Sequence, residues 1–177
     1  MRHLLLALMV VLGSQPVLAD KKISGAEVFT KFNELCLQTA PSFKAGLVLA
    51  RLQARSANVK VPNGEFSIGD LYLRIATGRG NGSYSRICAL LFDRAEAEME
   101  PVVNAFVDNA AKTWPGAFKI ERDLPPGKLS VVRPASADGS ISCMAAVVVQ
   151  SKPDSWQFVA LSYETTPDLI PECEGKE

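Results

Sequence analysis

The only histidine in the chain is His3, and it lies in a segment that reads as a removable leader, so the remaining chain carries no imidazole. That excludes a Ser-His-Asp triad, a Cys-His dyad, His-ligated zinc or copper and covalent c-type haem. Neither G-x-S-x-G nor S-x-x-K is present, and the glycines at 78, 80 and 82 do not form G-x-G-x-x-G or lead into G-K-[ST]. Acyl-enzyme and nucleotide chemistry therefore have no foothold. Carboxylates are the remaining chemistry, because glycoside hydrolysis needs two acids a few ångströms apart. Asp70, Asp93, Glu96, Glu98, Glu100, Asp108, Glu121 and Asp123 are available, and their spacing singles out no pair. Glu96, Glu98 and Glu100 stand near a helix start, where acids complement the macrodipole. No calcium-loop ligand run is present. The reading assigns no catalytic residue, no metal and no cofactor.

Four cysteines, Cys36, Cys88, Cys143 and Cys173, show no C-x-x-C spacing, so a redox pair or zinc knuckle is not indicated. Their even number fits two structural disulfides in an oxidising compartment. The N-terminus agrees: Met1-Arg2-His3 precedes an apolar run from Leu4 to Leu12, then Gly13-Ser14-Gln15-Pro16 and Val17-Leu18-Ala19. This has the form of a secretory signal cleaved after Ala19, and the run is too short to span a bilayer. The expectation is an exported chain, 20–177, in the periplasm of a Gram-negative bacterium, forming one disulfide-stapled domain. Lys and Arg number 19 against 19 Asp and Glu, without a block of like charge, so neither nucleic acid nor a membrane surface is an expected partner.

The elements that must position these residues follow from periodicity. Ser24-Gly25-Ala26-Glu27 is a capping box, followed by Phe29, Phe32, Leu35 and Cys36 at helical spacing, which predicts a helix over 25–39. Pro41 stops it, and Ser42 is placed to cap a second helix carrying Phe43, Leu47, Ala50 and Ala54. After the turn signal Pro62-Asn63-Gly64, the segments 71–75 and 84–92 read as a hairpin joined by a long, mobile connection, Thr77 to Ser83. A third helix starts near Glu98 with Pro101 in its first turn, and ends at Trp114-Pro115-Gly116. Strands over 128–133, 141–150 and 156–164 form an antiparallel meander with turns at 137–140 and 152–155. The result is an α+β fold: a helical hairpin and one further helix on a roughly five-stranded antiparallel sheet. A turn centred near Pro153 sets residue 143 opposite residue 163, which favours Cys143 with Cys173 and leaves Cys36 to Cys88. The acidic end, 168–177, is expected to be a frayed tail beyond Cys173, and no internal repeat is visible.

The 77–83 connection is the best candidate for a binding site. Arg79 between glycines is a long cation able to reach a carboxylate, and Asn81, Ser83 and Tyr84 complete the candidate surface. Gly82-Ser83-Tyr84 is similar in composition to the Ser/Gly-rich loop, followed by Tyr, of the exported lysozyme inhibitors of Gram-negative bacteria. That resemblance covers a few residues, departs from the family's loop pattern, and implies an inhibitor-like use of the connection. Tyr72, Tyr84, Trp156, Phe158 and Tyr163 fall on predicted strands, where core packing or a ligand groove can use them. The reading is a small, monomeric binding module for a protein or envelope component. A carboxylate-dependent cell-envelope glycan hydrolase and an assembly factor of an envelope complex are the alternatives.

Overall fold

The computed structural model describes residues 24–60, 63–80, 83–124, 127–136, 142–163 and 170–174. The expected leader with its Ala19 site, Asn81 and the expected turn at 137–140 lie outside these residues. Helix α1 (Gly25–Phe32) opens at Ser24, whose Oγ accepts from the Glu27 N–H while the Glu27 carboxylate accepts from the Ser24 N–H at 2.8 Å. This closes the capping box. The helix runs on through a π-helical turn, Asn33–Leu37, which buries Leu35, Cys36 and Leu37. Helix α2 (Lys44–Gln53) follows. Ser42 is not its cap: Phe43 holds that position with φ 55°, and Ser42 Oγ accepts from the Lys44 N–H at 3.4 Å. Phe43 tolerates this left-handed backbone because its ring is fully buried. Gly46 is required where α2 approaches the π turn, since a Cβ there would collide with the Leu35 carbonyl.

The sheet has eight strands among the described residues, not five. In chain order they are β1 (Ser56–Lys60), β2 (Asn63–Ile68), β3 (Leu71–Gly80), β4 (Ser83–Asp93), β5 (Phe118–Leu124), β6 (Gly127–Arg133), β7 (Cys143–Lys152) and β8 (Ser155–Tyr163). Helix α3 (Met99–Thr113) lies between β4 and β5. All neighbours are antiparallel, in the order β1-β2-β3-β4-β8-β7-β6-β5. The fold is thus a helical segment followed by a four-stranded meander, twice over, joined where β4 meets β8. The sequence shows no matching repeat. The unforeseen strands are the two edges, β1 and β5, and the short β2. Both edges are mostly exposed, as expected where strands face water, and their alternation is short: Ala57 and Val59 in β1, and Phe118, Ile120 and Leu124 in β5, interrupted at Arg122.

A further correction concerns the 77–83 connection. β3 and β4 remain paired through Arg79↔Tyr84 and Gly80↔Ser83, which leaves only positions 81 and 82 between them. Gly78 and Gly80 therefore lie within paired strands rather than in a long mobile tip.

One face of the sheet packs under the helices. Phe158 of β8 sits among Phe32, Phe92 and Phe106, with ring centroids 5.7, 5.1 and 4.4 Å away. Trp114 Nε1 donates to the Leu37 carbonyl at 3.1 Å, tying the end of α3 to the π turn. Cys36 and Cys88 form a disulfide that fastens this turn to β4, their Cα atoms 5.5 Å apart. Cys143 and Cys173 form the second, with Cα atoms 5.4 Å apart and Cys143 opposite Tyr163 in the register. The chain from Ile170 to Glu174 is consequently held on the sheet. Ile170 and Cys173 are buried, the Ala135 N–H donates to the Cys173 carbonyl at 3.1 Å, and Arg122 Nη2 meets Glu172 Oε2 at 2.9 Å. No helix among the described residues is long and apolar enough to cross a membrane.

Candidate functional site

The sheet face turned away from the helices is the unusual part of the molecule. An antiparallel sheet with one wet face normally alternates apolar and polar residues. Here β4 sends Cys88, Leu90 and Phe92 to the helices, and between them Ile87, Ala89 and Leu91 point to the other side. β8 does the same with Val159 and Leu161 between buried Phe158 and Ala160. In β7 every residue from Cys143 to Val149 is buried, because alternate ones serve each face. The molecule therefore carries a second apolar surface. Ile170 and Cys173 cover one part of it, packing with Leu129, Val132 and Ala145.

Another part forms a groove of about 590 Å³ lined entirely by strand residues. Ala89, Leu91, Val147, Val149, Val159 and Leu161 make its apolar lining. Glu65 of β2 and Leu124 of β5 line the same groove although they stand near opposite ends of the strand order, so the sheet curls around it. Tyr72, Arg74 and Gln157 add polar groups, with Arg74 Nε 3.8 Å from Glu65 Oε1. Burial pushes the Tyr163 phenol above its ordinary value. Tyr72 shifts the same way, through desolvation first and then through its hydrogen bond with Glu65.

The residues singled out from sequence relate to this groove indirectly. Thr77 and Gly78, at the start of the Gly-rich segment, line it. Thr77 is held there by its N–H, which donates to Asn63 Oδ1 at 2.8 Å. The pairs Arg79↔Tyr84 and Gly80↔Ser83 continue the hairpin beyond that point, past the last β4–β8 pair at Ser85↔Tyr163. Arg79, Ser83 and Tyr84 thus belong to an arm extending from the groove, and Asn81 falls outside the described residues. Of the strand aromatics, Trp156 and Phe158 belong to the helix-side core, whereas Tyr72 and Tyr163 line the groove.

The candidate acids do not assemble into a buried pair. Glu96, Glu100 and Glu121 border a groove of about 880 Å³ between α3 and strands β5 to β8. A glycosidase acid needs a desolvated carboxyl, and none of the eight candidates is buried. Glu121 is 86% exposed and 3.5 Å from Lys128 Nζ, while Asp108 is ion-paired with Lys119, whose hydrogen bond and charge hold its carboxyl below the ordinary range. The apolar floor of that groove, Val148 and Trp156, is already buried. No group of three or more metal-ligating side chains occurs among the described residues.

Comparison with protein-family models, with curated proteins and with solved structures finds no match to this chain.

Proposed function

We propose that this chain is a small exported binding module that receives an apolar part of a protein or envelope component in the groove on the open face of its sheet. The observation that carries the reading is the apolar lining of that groove: Leu91, Val159 and Leu161 lie half-buried on a face that antiparallel sheets otherwise give to water. The groove lies over internally paired strands, β4 and β8, whose backbone groups already bond each other. Recognition therefore acts through side chains and apolar burial rather than through addition of a strand. The backbone pairs Arg79↔Tyr84 and Gly80↔Ser83 continue β3 and β4 beyond the groove at one end, and an inhibitor-like role would use that end. The two disulfides fit an oxidising compartment, and with the leader they support export to the periplasm. An assembly factor whose occupant is a subunit of an envelope complex would use the same face.

The test is affinity capture from an envelope extract with residues 20–177 as bait, comparing wild type, Leu161→Glu and Arg79→Ala by quantitative mass spectrometry. A charge in the lining should lower recovery of the partner by roughly tenfold or more, because it must be desolvated on binding. Arg79→Ala should weaken recovery less. Equal recovery by wild type and a folded Leu161→Glu variant would remove the groove from the binding surface.

A further inference from the structure

We propose that the groove on the open sheet face holds an acyl chain of a zwitterionic phospholipid, whose head group sits over β1 to β3. This rests on the groove being the binding surface and names its occupant. The strand register divides the open face into a polar and an apolar half. One cross-strand row runs Asn58, Glu65, Arg74, Ala89, Val159 and Val147, from β1 to β7. Its first three members are polar and its last three apolar, so the change falls between β3 and β4. A neighbouring row, Ser56, Ser67, Tyr72, Leu91, Gln157 and Val149, changes at the same place, with one polar return at Gln157. Over the polar half lies a pocket of about 200 Å³, bordered by Asn58, Lys60 and Asn63. It shares Glu65, Arg74 and Ala76 with the 590 Å³ groove, so a polar pocket and an apolar groove adjoin.

The apolar half favours a hydrocarbon over a peptide. A peptide brings backbone N–H and C=O groups that need partners once buried. Beneath the groove β4, β8 and β7 bond each other, and Ala89, Leu91, Val147, Val149, Val159 and Leu161 carry no polar side-chain atom. Where polypeptide does cover this face, at Ile170 to Cys173, it is held by the Ala135 N–H, by Arg122 on Glu172 and by a disulfide. The apolar floor offers no such partners, and a hydrocarbon needs none. From β3 to β7 is three strand spacings, roughly 14 Å, the length of an extended chain of about twelve carbons. At the polar end two cations, Lys60 and Arg74, stand with one acid, Glu65. Arg74 Nε lies 3.8 Å from Glu65 Oε1, but the two side chains are 60% and 43% exposed, so ligand groups can replace either partner. A phosphate on the cations and an ammonium on Glu65 use all three charges, whereas a bare carboxylate would be repelled by Glu65.

Leucine methyl resonances test this, with Leu91 and Leu161 in the groove and Leu35 and Leu37, fully buried under the helices, as references. Dodecanoyl lysophosphatidylethanolamine and dodecyl maltoside, which has the same chain length and an uncharged head, would each be titrated as monomers into methyl-labelled protein. The lysolipid should move Leu91 and Leu161 to saturation and leave Leu35 and Leu37 in place. The maltoside should move the same methyls at roughly tenfold or more higher concentration. Lys60→Glu, on an exposed edge-strand position, should bring the lysolipid down to the affinity of the maltoside and leave the maltoside unchanged. Leu161→Glu should abolish both responses while the reference methyls keep their positions. Equal affinity for the two amphiphiles, or lysolipid affinity unchanged by Lys60→Glu, would overturn the head assignment and with it the proposal. No methyl response to either amphiphile would overturn the acyl chain. If capture of a protein still depended on Leu161, the groove would stand with a polypeptide occupant; if that dependence also failed, the groove itself would fall.

Discussion

Phe158→Ala should lower the unfolding free energy by about 3–5 kcal/mol, the range for deleting a buried aromatic ring. The residue is fully buried on β8, a central strand, and its ring stacks on Phe106 of α3 with 9° between planes while meeting Phe32 and Phe92 edge-on. These three neighbours come from α1, β4 and α3, so no single element can move to close the hole without disturbing the others. The loss is a large part of the roughly 5–15 kcal/mol typical of a folded domain. Urea unfolding would measure it, with Phe158→Leu as a milder companion. A loss below about 1 kcal/mol would mean that the cluster is not the organising contact between helices and sheet.

Removing the Cys36–Cys88 bridge as the double alanine variant should cost about 4 kcal/mol from chain entropy alone, for a sequence separation of 52 residues. For a chain of this size that corresponds to a fall in Tm of roughly 8–16 °C. The bridge joins the π turn to β4, and both cysteines are fully buried in the core. Its loss therefore acts on the docking of the helical layer as well as on the unfolded chain. The Cys143–Cys173 bridge spans 30 residues and holds the terminal segment, so its removal should shift Tm less. Calorimetry on the two variants would check the order. Indistinguishable Tm values for wild type and the Cys36/Cys88 variant would contradict this role.

The central strands are legible because their residues must satisfy a core, whereas the alternation in β1 and β5 is short and built on small or interrupted apolar positions. The helices show both strengths and limits of local signals. Ser24 and Glu27 form a complete cap, but Ser42 lost that position to Phe43, whose burial overrides local preference. The hairpin over 71–92 is visible in the sequence, yet reading the glycines from 77 to 83 as a loop hides pairing that continues as far as Gly80↔Ser83. The groove has a signal in the sequence that strict alternation does not carry. Uninterrupted apolar runs such as Ala145 to Val149 and Ile87 to Phe92 mark strands with something to bury on both faces. The curling that brings Glu65 and Leu124 to one groove depends on the whole eight-stranded order, which no local spacing encodes.

Photo-crosslinking tests most directly whether the open sheet face is the binding surface. A benzophenone amino acid can replace Tyr72, 38% exposed beside the groove, or Val48, 62% exposed on α2. After irradiation in the envelope extract, the account predicts a discrete adduct from position 72 and none from position 48. An adduct formed only from position 48, or equally from both, would contradict it and move the binding surface to the helical layer.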